Sequence, residues 1–237
     1  MVKGFIGTSL IDYPGVISGV LFFGGCNFRC PFCHNVDLVL PERLRNLKDL
    51  TEDECIEKIV KRTKFIDGVV VTGGEPTIYE NLPIFLGKIK KLIPNIKIKL
   101  DTNGSSPGLL SKILFENLVD YVAVDVKSSP EKYDYATSVN DSFSNVRETI
   151  NLILSNKSSI EYEFRTTVVP KIVDRDDILE IANIIKGCKK YALQQFKNDE
   201  TIDPTFKDIS PYQVSFIESM AEELKKNYGL NVVTRIY

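Results

Sequence analysis

The chain has 237 residues, 43% of them hydrophobic, and a formal net charge of -2. That length can bury one substantial core, and the near balance of acid and base leaves no basic footprint for nucleic acid. No stretch approaches the length of a membrane span and residues 1–7 lack a signal-peptide apolar core, so the expectation is one cytoplasmic domain over 1–237 with no membrane or nucleic-acid partner.

In chain order, short β-branched runs alternate with longer amphipathic stretches. The first strand is predicted over Val16–Phe23 and runs into a cysteine-rich loop. A helix over Thr51–Thr63 follows, with Thr51 and Glu54 spaced as a capping box, then a strand over Val69–Thr72. Helix Leu82–Leu92, strand Ile96–Leu100, helix Pro107–Asn117 and strand Tyr121–Val126 continue the rhythm, followed by helix Asn145–Leu154 and strand Ile160–Val168. Asp176–Lys186 places Ile178, Ile181, Ala182 and Ile185 on one helical face, and Tyr191–Phe196 reads as a strand. Ser210 then caps a helix that Pro211 begins and Gly229 ends, and strand Asn231–Ile236 closes the chain. The core is expected over about 16–196, with the last helix and strand over about 210–237. Such alternation argues for right-handed βαβ units and a parallel sheet. About six units are visible, short of the eight of a closed barrel, which leaves an open doubly wound sheet or a partly open barrel.

The loop after the first strand carries Cys26, Cys30 and Cys33. A cubane iron-sulfur cluster has four irons and normally four thiolates, so three thiolates from one tight loop leave one iron open to a small molecule. Two other readings remain. Cys30-Pro31-Phe32-Cys33 resembles a thiol-disulfide pair, although Cys26 is then without a role. Cys26, Cys30, Cys33 and His34 could ligate zinc, although adjacent side chains rarely converge on one tetrahedral centre. Inert cysteines would explain neither the spacing nor Gly24, Gly25 and Asn27 beside it. Cys55 and Cys188 fall outside any ligand spacing and read as structural.

Polar residues recur at the same end of successive strands, where parallel α/β folds build their sites. The second strand runs into Gly73-Gly74-Glu75-Pro76 and the third into Asp101-Thr102-Asn103-Gly104; the fourth carries Asp125 and Lys127, the fifth Arg165, and the sixth ends in Gln194-Gln195-Phe196. Charges inside apolar strands need partners if buried, and a polar ligand would supply them.

Together, the cysteine loop, the Gly73-Gly74-Glu75-Pro76 turn and the strand-terminal polar residues resemble the radical S-adenosylmethionine (SAM) enzymes. Their fold is a partial (β/α)6 barrel with parallel strands, which is the expectation adopted. Gly25 to Asn35 is similar to the branch that activates glycyl-radical enzymes, and Ser9–Gly15 with Leu193–Phe196 resembles activating proteins of the anaerobic ribonucleoside-triphosphate reductase.

The resemblance implies that Cys26, Cys30 and Cys33 bind three irons of a 4Fe-4S cluster, while S-adenosylmethionine chelates the fourth. Phe32 and His34 would lie against the adenine. Gly73, Gly74 and Glu75 would meet the methionine amine, the glycines permitting close backbone approach. Lys127 and Arg165 would contact the carboxylate or ribose. Gln195 would face the ribose, standing where the pyruvate formate-lyase activase pattern has a histidine. A monovalent cation would take Asp101, Thr102, the Ala123 carbonyl and Asp125.

The implied chemistry is one-electron reduction of the sulfonium, with the electron supplied through the cluster by a flavodoxin- or ferredoxin-like donor. It yields methionine and a 5'-deoxyadenosyl radical that removes hydrogen from a glycine of the partner. No acid-base residue is required. A radical enzyme acting on a small molecule is the alternative. The polar connections Val36–Leu50 and Lys197–Ile209 would border the mouth and help dock the partner.

Overall fold

The computed structural model describes residues 1–156 and 160–236. Two compact units are interleaved along the chain. The first comprises Met1–Asn27, Asp37–Thr102 and Ser106–Val122; the second comprises Phe28–Val36, Asn103–Ser105 and the chain from Ala123 onward. Because the chain passes between them repeatedly, neither is a contiguous segment.

The first unit opens with a strand that the sequence pattern does not show. β1 (Val2–Ser9) pairs antiparallel with β2 (Ser18–Phe23). Only the ends of β1, Val2 and Ser9, are buried, so it lacks the alternation that marks a half-buried strand. The connection predicted over 36–50 contains two short helices, α1 (Val36–Val39) and α2 (Pro41–Leu44). In α3 (Glu52–Val60) the capping box forms as expected: Glu54 N donates to Thr51 Oγ1 at 3.1 Å and Thr51 N to Glu54 Oε2 at 2.8 Å. β3 (Gly68–Gly73) runs parallel to β2 in unbroken register from Ser18↔Gly68 to Phe23↔Gly73. Next come α4 (Leu82–Leu92), β4 (Lys97–Thr102), parallel to β3, and α5 (Pro107–Phe115). Val69, Val70, Val71, Phe85, Leu86, Ile89, Ile98 and Leu100 are wholly buried, and burial of this apolar surface drives the unit's folding. β5 (Tyr121–Asp125) starts in this unit, where Asp120 N donates to the Ile98 carbonyl at 2.8 Å.

The second unit continues with α6 (Tyr133–Thr137), α7 (Ser142–Ser155), β6 (Glu161–Val168), α8 (Arg175–Ile184), β7 (Tyr191–Gln195), α9 (Val214–Tyr228) and β8 (Val232–Arg235). β6, β7 and β8 are parallel neighbours. α9 begins at Val214, after Gln213, which makes no side-chain cap bond; the predicted start at Ser210 and Pro211 is corrected. The physical reason lies in Tyr212, whose carbonyl accepts from Gln195 Nε2 at 3.1 Å while its ring stacks on Phe216. At the other end Gly229 closes the helix at φ 66°, the left-handed conformation expected of a C-terminal glycine.

Strand order in the sheet is chain order from β1 to β8, an open α/β arrangement. No helix among the described residues is long and apolar enough to cross a membrane.

Candidate active site

In the first unit the end of β2 and the turn after β3 are held backbone to backbone. Gly74 N donates to the Phe23 carbonyl at 2.8 Å, and Glu75 N to the Gly25 carbonyl at 2.8 Å. A Cβ on Gly74 would collide with the Gly25 carbonyl, and one on Gly73, at φ 124°, with the Phe23 backbone. The close approach these glycines permit is thus to Phe23 and Gly25, in the segment that leads into Cys26, so that segment and the turn brace each other.

Glu75 is 1% exposed. Its Oε1 accepts from Thr77 N at 3.0 Å, Thr77 Oγ1 at 2.5 Å and Thr102 Oγ1 at 2.7 Å. Two positions expected in different subsites, Glu75 and Thr102, therefore share one hydrogen-bond cluster. Asp101 pairs with Lys99, a buried lysine that sequence reasoning passed over and whose ammonium lies 6.0 Å above the Tyr121 ring. The available signal was a Lys inside an apolar run two residues before Asp101, on the same strand face.

In the second unit Cys30 and Cys33 form a turn, with Cys33 N donating to the Cys30 carbonyl at 3.0 Å. Arg29 N donates to Thr137 O at 2.8 Å, so α6 holds the turn from before. From after, Asp203 N donates to Pro31 O at 2.9 Å and Ile202 N to Cys33 O at 3.2 Å. Lys197–Ile209, expected to serve partner docking, thus also binds the cysteine turn. Phe32 is buried. His34 stacks on Phe196 with ring centroids 5.9 Å apart, and its Nδ1 donates to the Glu200 carbonyl at 2.9 Å.

Asp125, Lys127 and Arg165 come together. Arg165 Nε donates to Asp125 Oδ1 at 2.7 Å and Lys127 Nζ to Asp125 Oδ2 at 2.9 Å. Burial works against the Asp125 charge, but Arg165 and Lys127 outweigh it and hold the carboxyl well below the usual carboxylate range. Burial likewise opposes the Lys127 ammonium, yet Asp125, with negative charge on nearby Cys30, keeps its pKa above the ordinary value. Burial pushes the Cys33 thiol up, against the Asn35 backbone, Lys127 and Arg29, which pull it down. Burial takes Cys55, despite the nearby Lys58, and Cys188 to about 11, in keeping with structural roles.

A cavity of about 430 Å³ in the second unit is lined by His34, Thr167, Gln194, Gln195, Lys197, Asp199 and Glu200. His34 and Gln195, both expected to serve one nucleoside, face the same space. The Ala123 carbonyl and Asp125 lie in this unit, Asp101 and Thr102 in the other. None of the five cysteines is joined in a disulfide. Cys26 lies in the first unit and Cys30 and Cys33 in the second; thiols are the ligand type an iron-sulfur cluster takes, and Cys33 has Lys127 and Arg29 as nearby cations.

Residues 20–185 match the sequence profile of the Radical SAM superfamily. The chain belongs to that superfamily. A relative in Methanocaldococcus jannaschii, provisionally named a glycyl-radical enzyme activating enzyme, is 34% identical over 99% of this chain and 95% of its own length. Pyruvate formate-lyase-activating enzyme of Clostridium pasteurianum is 29% identical over 92% and 90%. Within the superfamily the chain thus falls in the glycyl-radical enzyme activating branch. Among solved structures, Streptococcus suis SuiB bound to S-adenosylmethionine shares the fold with a TM-score of 0.63 at 16% identity over 92% of this chain. The chain spans about half, 52%, of that SuiB chain. Escherichia coli QueE shares the fold with a TM-score of 0.56 at 14% identity, over 100% of this chain and 93% of its own. For this radical SAM enzyme, membership implies a 4Fe-4S cluster and S-adenosylmethionine as cofactors, and the open sheet with parallel strands agrees with the expected partial barrel.

Proposed function

We propose that this chain is a single-domain, cytoplasmic activase that installs a glycyl radical in an anaerobic ribonucleoside-triphosphate reductase, drawing electrons from a flavodoxin- or ferredoxin-like donor. The choice of reductase rests on the likeness of Ser9–Gly15 and Leu193–Phe196 to its activating proteins. The observation that carries the reading is the cavity shared by His34, from the cysteine loop, and Gln195, from β7.

When bound, the cluster and S-adenosylmethionine would supply reductive cleavage of a carbon-sulfur bond and a 5'-deoxyadenosyl radical able to take hydrogen from a glycine. Cys26, Cys30 and Cys33 would hold the cluster, with Lys127 and Arg29 drawing the Cys33 pKa down against the burial that raises it. Gly73, Gly74 and Glu75 would receive the methionine amine, with Glu75 kept in place by Thr77 and Thr102. Lys127 and Arg165, both anchored on Asp125, would present donors to carboxylate or ribose oxygens.

A carbonyl oxygen only accepts, so His34 Nδ1 is the donor to Glu200, which leaves Nε2 to face a nucleobase. Phe32 would support the adenine from the same loop, and Gln195 would face the ribose. A monovalent cation at Asp101, Thr102, the Ala123 carbonyl and Asp125 belongs to the same reading; it would share the two carboxylates with Lys99, Lys127 and Arg165. Selectivity of so reactive a radical comes from placement and exclusion of water rather than acid-base groups.

The test mixes the reduced, reconstituted protein and S-adenosylmethionine with either the anaerobic reductase or pyruvate formate-lyase, then records electron paramagnetic resonance spectra. A glycyl doublet with the reductase is expected. A doublet only with pyruvate formate-lyase would reassign the partner, and none with either would refute the activase reading.

A further inference from the structure

Residues 196–206 touch the cysteine loop in a way that partner docking alone does not explain. Three bonds run from this segment to the loop: the Glu200 carbonyl accepts from His34 Nδ1 at 2.9 Å, Ile202 N donates to Cys33 O at 3.2 Å, and Asp203 N donates to Pro31 O at 2.9 Å. The same segment supplies the rings behind His34. Phe196 stacks on the imidazole, and Phe206 packs edge-on against Phe196 with centroids 6.4 Å apart. His34 itself is solvent-exposed, so its own burial does not fix its orientation. Thr201 is the buried pivot of the segment, 4% exposed, and its Oγ1 donates to the Asp203 carbonyl at 2.8 Å. That bond spans Thr201 to Asp203, and the groups that reach the loop lie in or beside that stretch: the Glu200 carbonyl and the Ile202 and Asp203 amides.

We infer that residues 196–206 form a clasp that sets the position of the His34 imidazole in the cofactor cavity, with Thr201 and Phe206 as its positioning residues. The inference rests on the reading of that cavity as the nucleoside subsite. Thr201 would act on the backbone that holds the ring edge and Phe206 on the ring that holds its face, so the two reach His34 by separate routes. Neither residue lines the cavity.

The experiment is a double-mutant cycle on the iron-reconstituted protein, with the dissociation constant for S-adenosylmethionine measured by equilibrium dialysis. Thr201→Val and Phe206→Leu are each made in the natural chain and in His34→Ala, and two separate variants keep the test alive if one fails to fold. Each is expected to weaken binding about fivefold in the natural chain, the effect of one hydrogen bond or ring contact. In His34→Ala each should weaken it by less than about twofold, because contacts acting through one group are not additive. Equal factors in both backgrounds, or no change in either, would overturn the clasp while leaving the proposed function intact. Failure of the fully loaded natural chain to bind S-adenosylmethionine would overturn both.

Discussion

The Thr102 hydroxyl at the end of β4 donates to Glu75 Oε1 at 2.7 Å, joining the two donations from Thr77 to the same oxygen. Glu75 is buried, so each donor offsets part of the cost of removing a carboxylate from water. Thr102→Val keeps the shape and removes one donor. The expected loss is about 1–3 kcal/mol of unfolding free energy, read from urea denaturation. An unchanged midpoint would mean that this hydroxyl does not hold the Gly73–Glu75 turn.

Gly74→Ala is expected to be among the most damaging single substitutions in the chain. Its methyl group meets the Gly25 backbone carbonyl, which no rotamer change can move aside, so a loss above about 4 kcal/mol or no folded protein is anticipated. Gly15→Ala is the control. Gly15 has φ 73° with nothing within 4 Å of the added carbon, leaving a strain of only about 1–2 kcal/mol. Comparable melting temperatures for the two variants would contradict the backbone-contact account.

Arg235 on β8 clamps Glu163 on β6 with one nitrogen, Nη2, at 2.7 Å from Oε1 and 2.8 Å from Oε2. Glu163 is wholly buried. Arg235→Met should cost about 3–5 kcal/mol by stranding a buried charge, whereas the double variant with Glu163→Met should recover most of it. Chemical denaturation of both proteins checks this. A double variant no more stable than the single one would show that the pair matters for more than mutual neutralisation.

The Lys132 ammonium bridges Asp174 and Asp177, both at 2.7 Å. Its hydrogen bond holds the Asp174 carboxyl below the usual range, and the two carboxylates hold the lysine above its own. A depressed carboxyl contributes stability that is present above its unfolded value, about 3.9, and is lost as pH falls through the folded value. A raised lysine contributes stability that is present below about 10.4 and is lost as pH rises through its folded value. Lys132→Met should therefore lower stability at pH 7, chiefly through Asp177, whose side chain is 5% exposed, because solvent screens the pair with the exposed Asp174. The difference should narrow as pH falls below about 3.9 towards 3. Denaturation midpoints at the two pH values test this, and an equal gap at both would contradict it.

The parallel strands and most helices could be read from the sequence because their signals are local. Val69–Thr72 is an uninterrupted β-branched run, and Thr51 and Glu54 cap α3 from within the same turn. A candidate site could be proposed from sequence to the extent that chemistry resides in residue type: three cysteines, the Gly-Gly-Glu turn, and Asp125 with Lys127. What escaped depends on distant partners. β1 has no alternation and exists through its pairing with β2. Glu163 and Arg235 are charged residues on separate strands whose role is set by each other. The attachment of Ile202 and Asp203 to the cysteine turn uses backbone amides, which every sequence supplies and none advertises. Tyr212 delays the start of α9 for the same kind of reason: its carbonyl is engaged by Gln195 on β7.

The most direct test of the central claim is to assay 5'-deoxyadenosine after anaerobic reconstitution with iron and sulfide and addition of S-adenosylmethionine and strong reductant. The account predicts a brown protein with about four irons per chain that forms deoxyadenosine, and a Cys33→Ser variant that forms none. A colourless natural chain, or a fully loaded one that leaves S-adenosylmethionine intact, would contradict it.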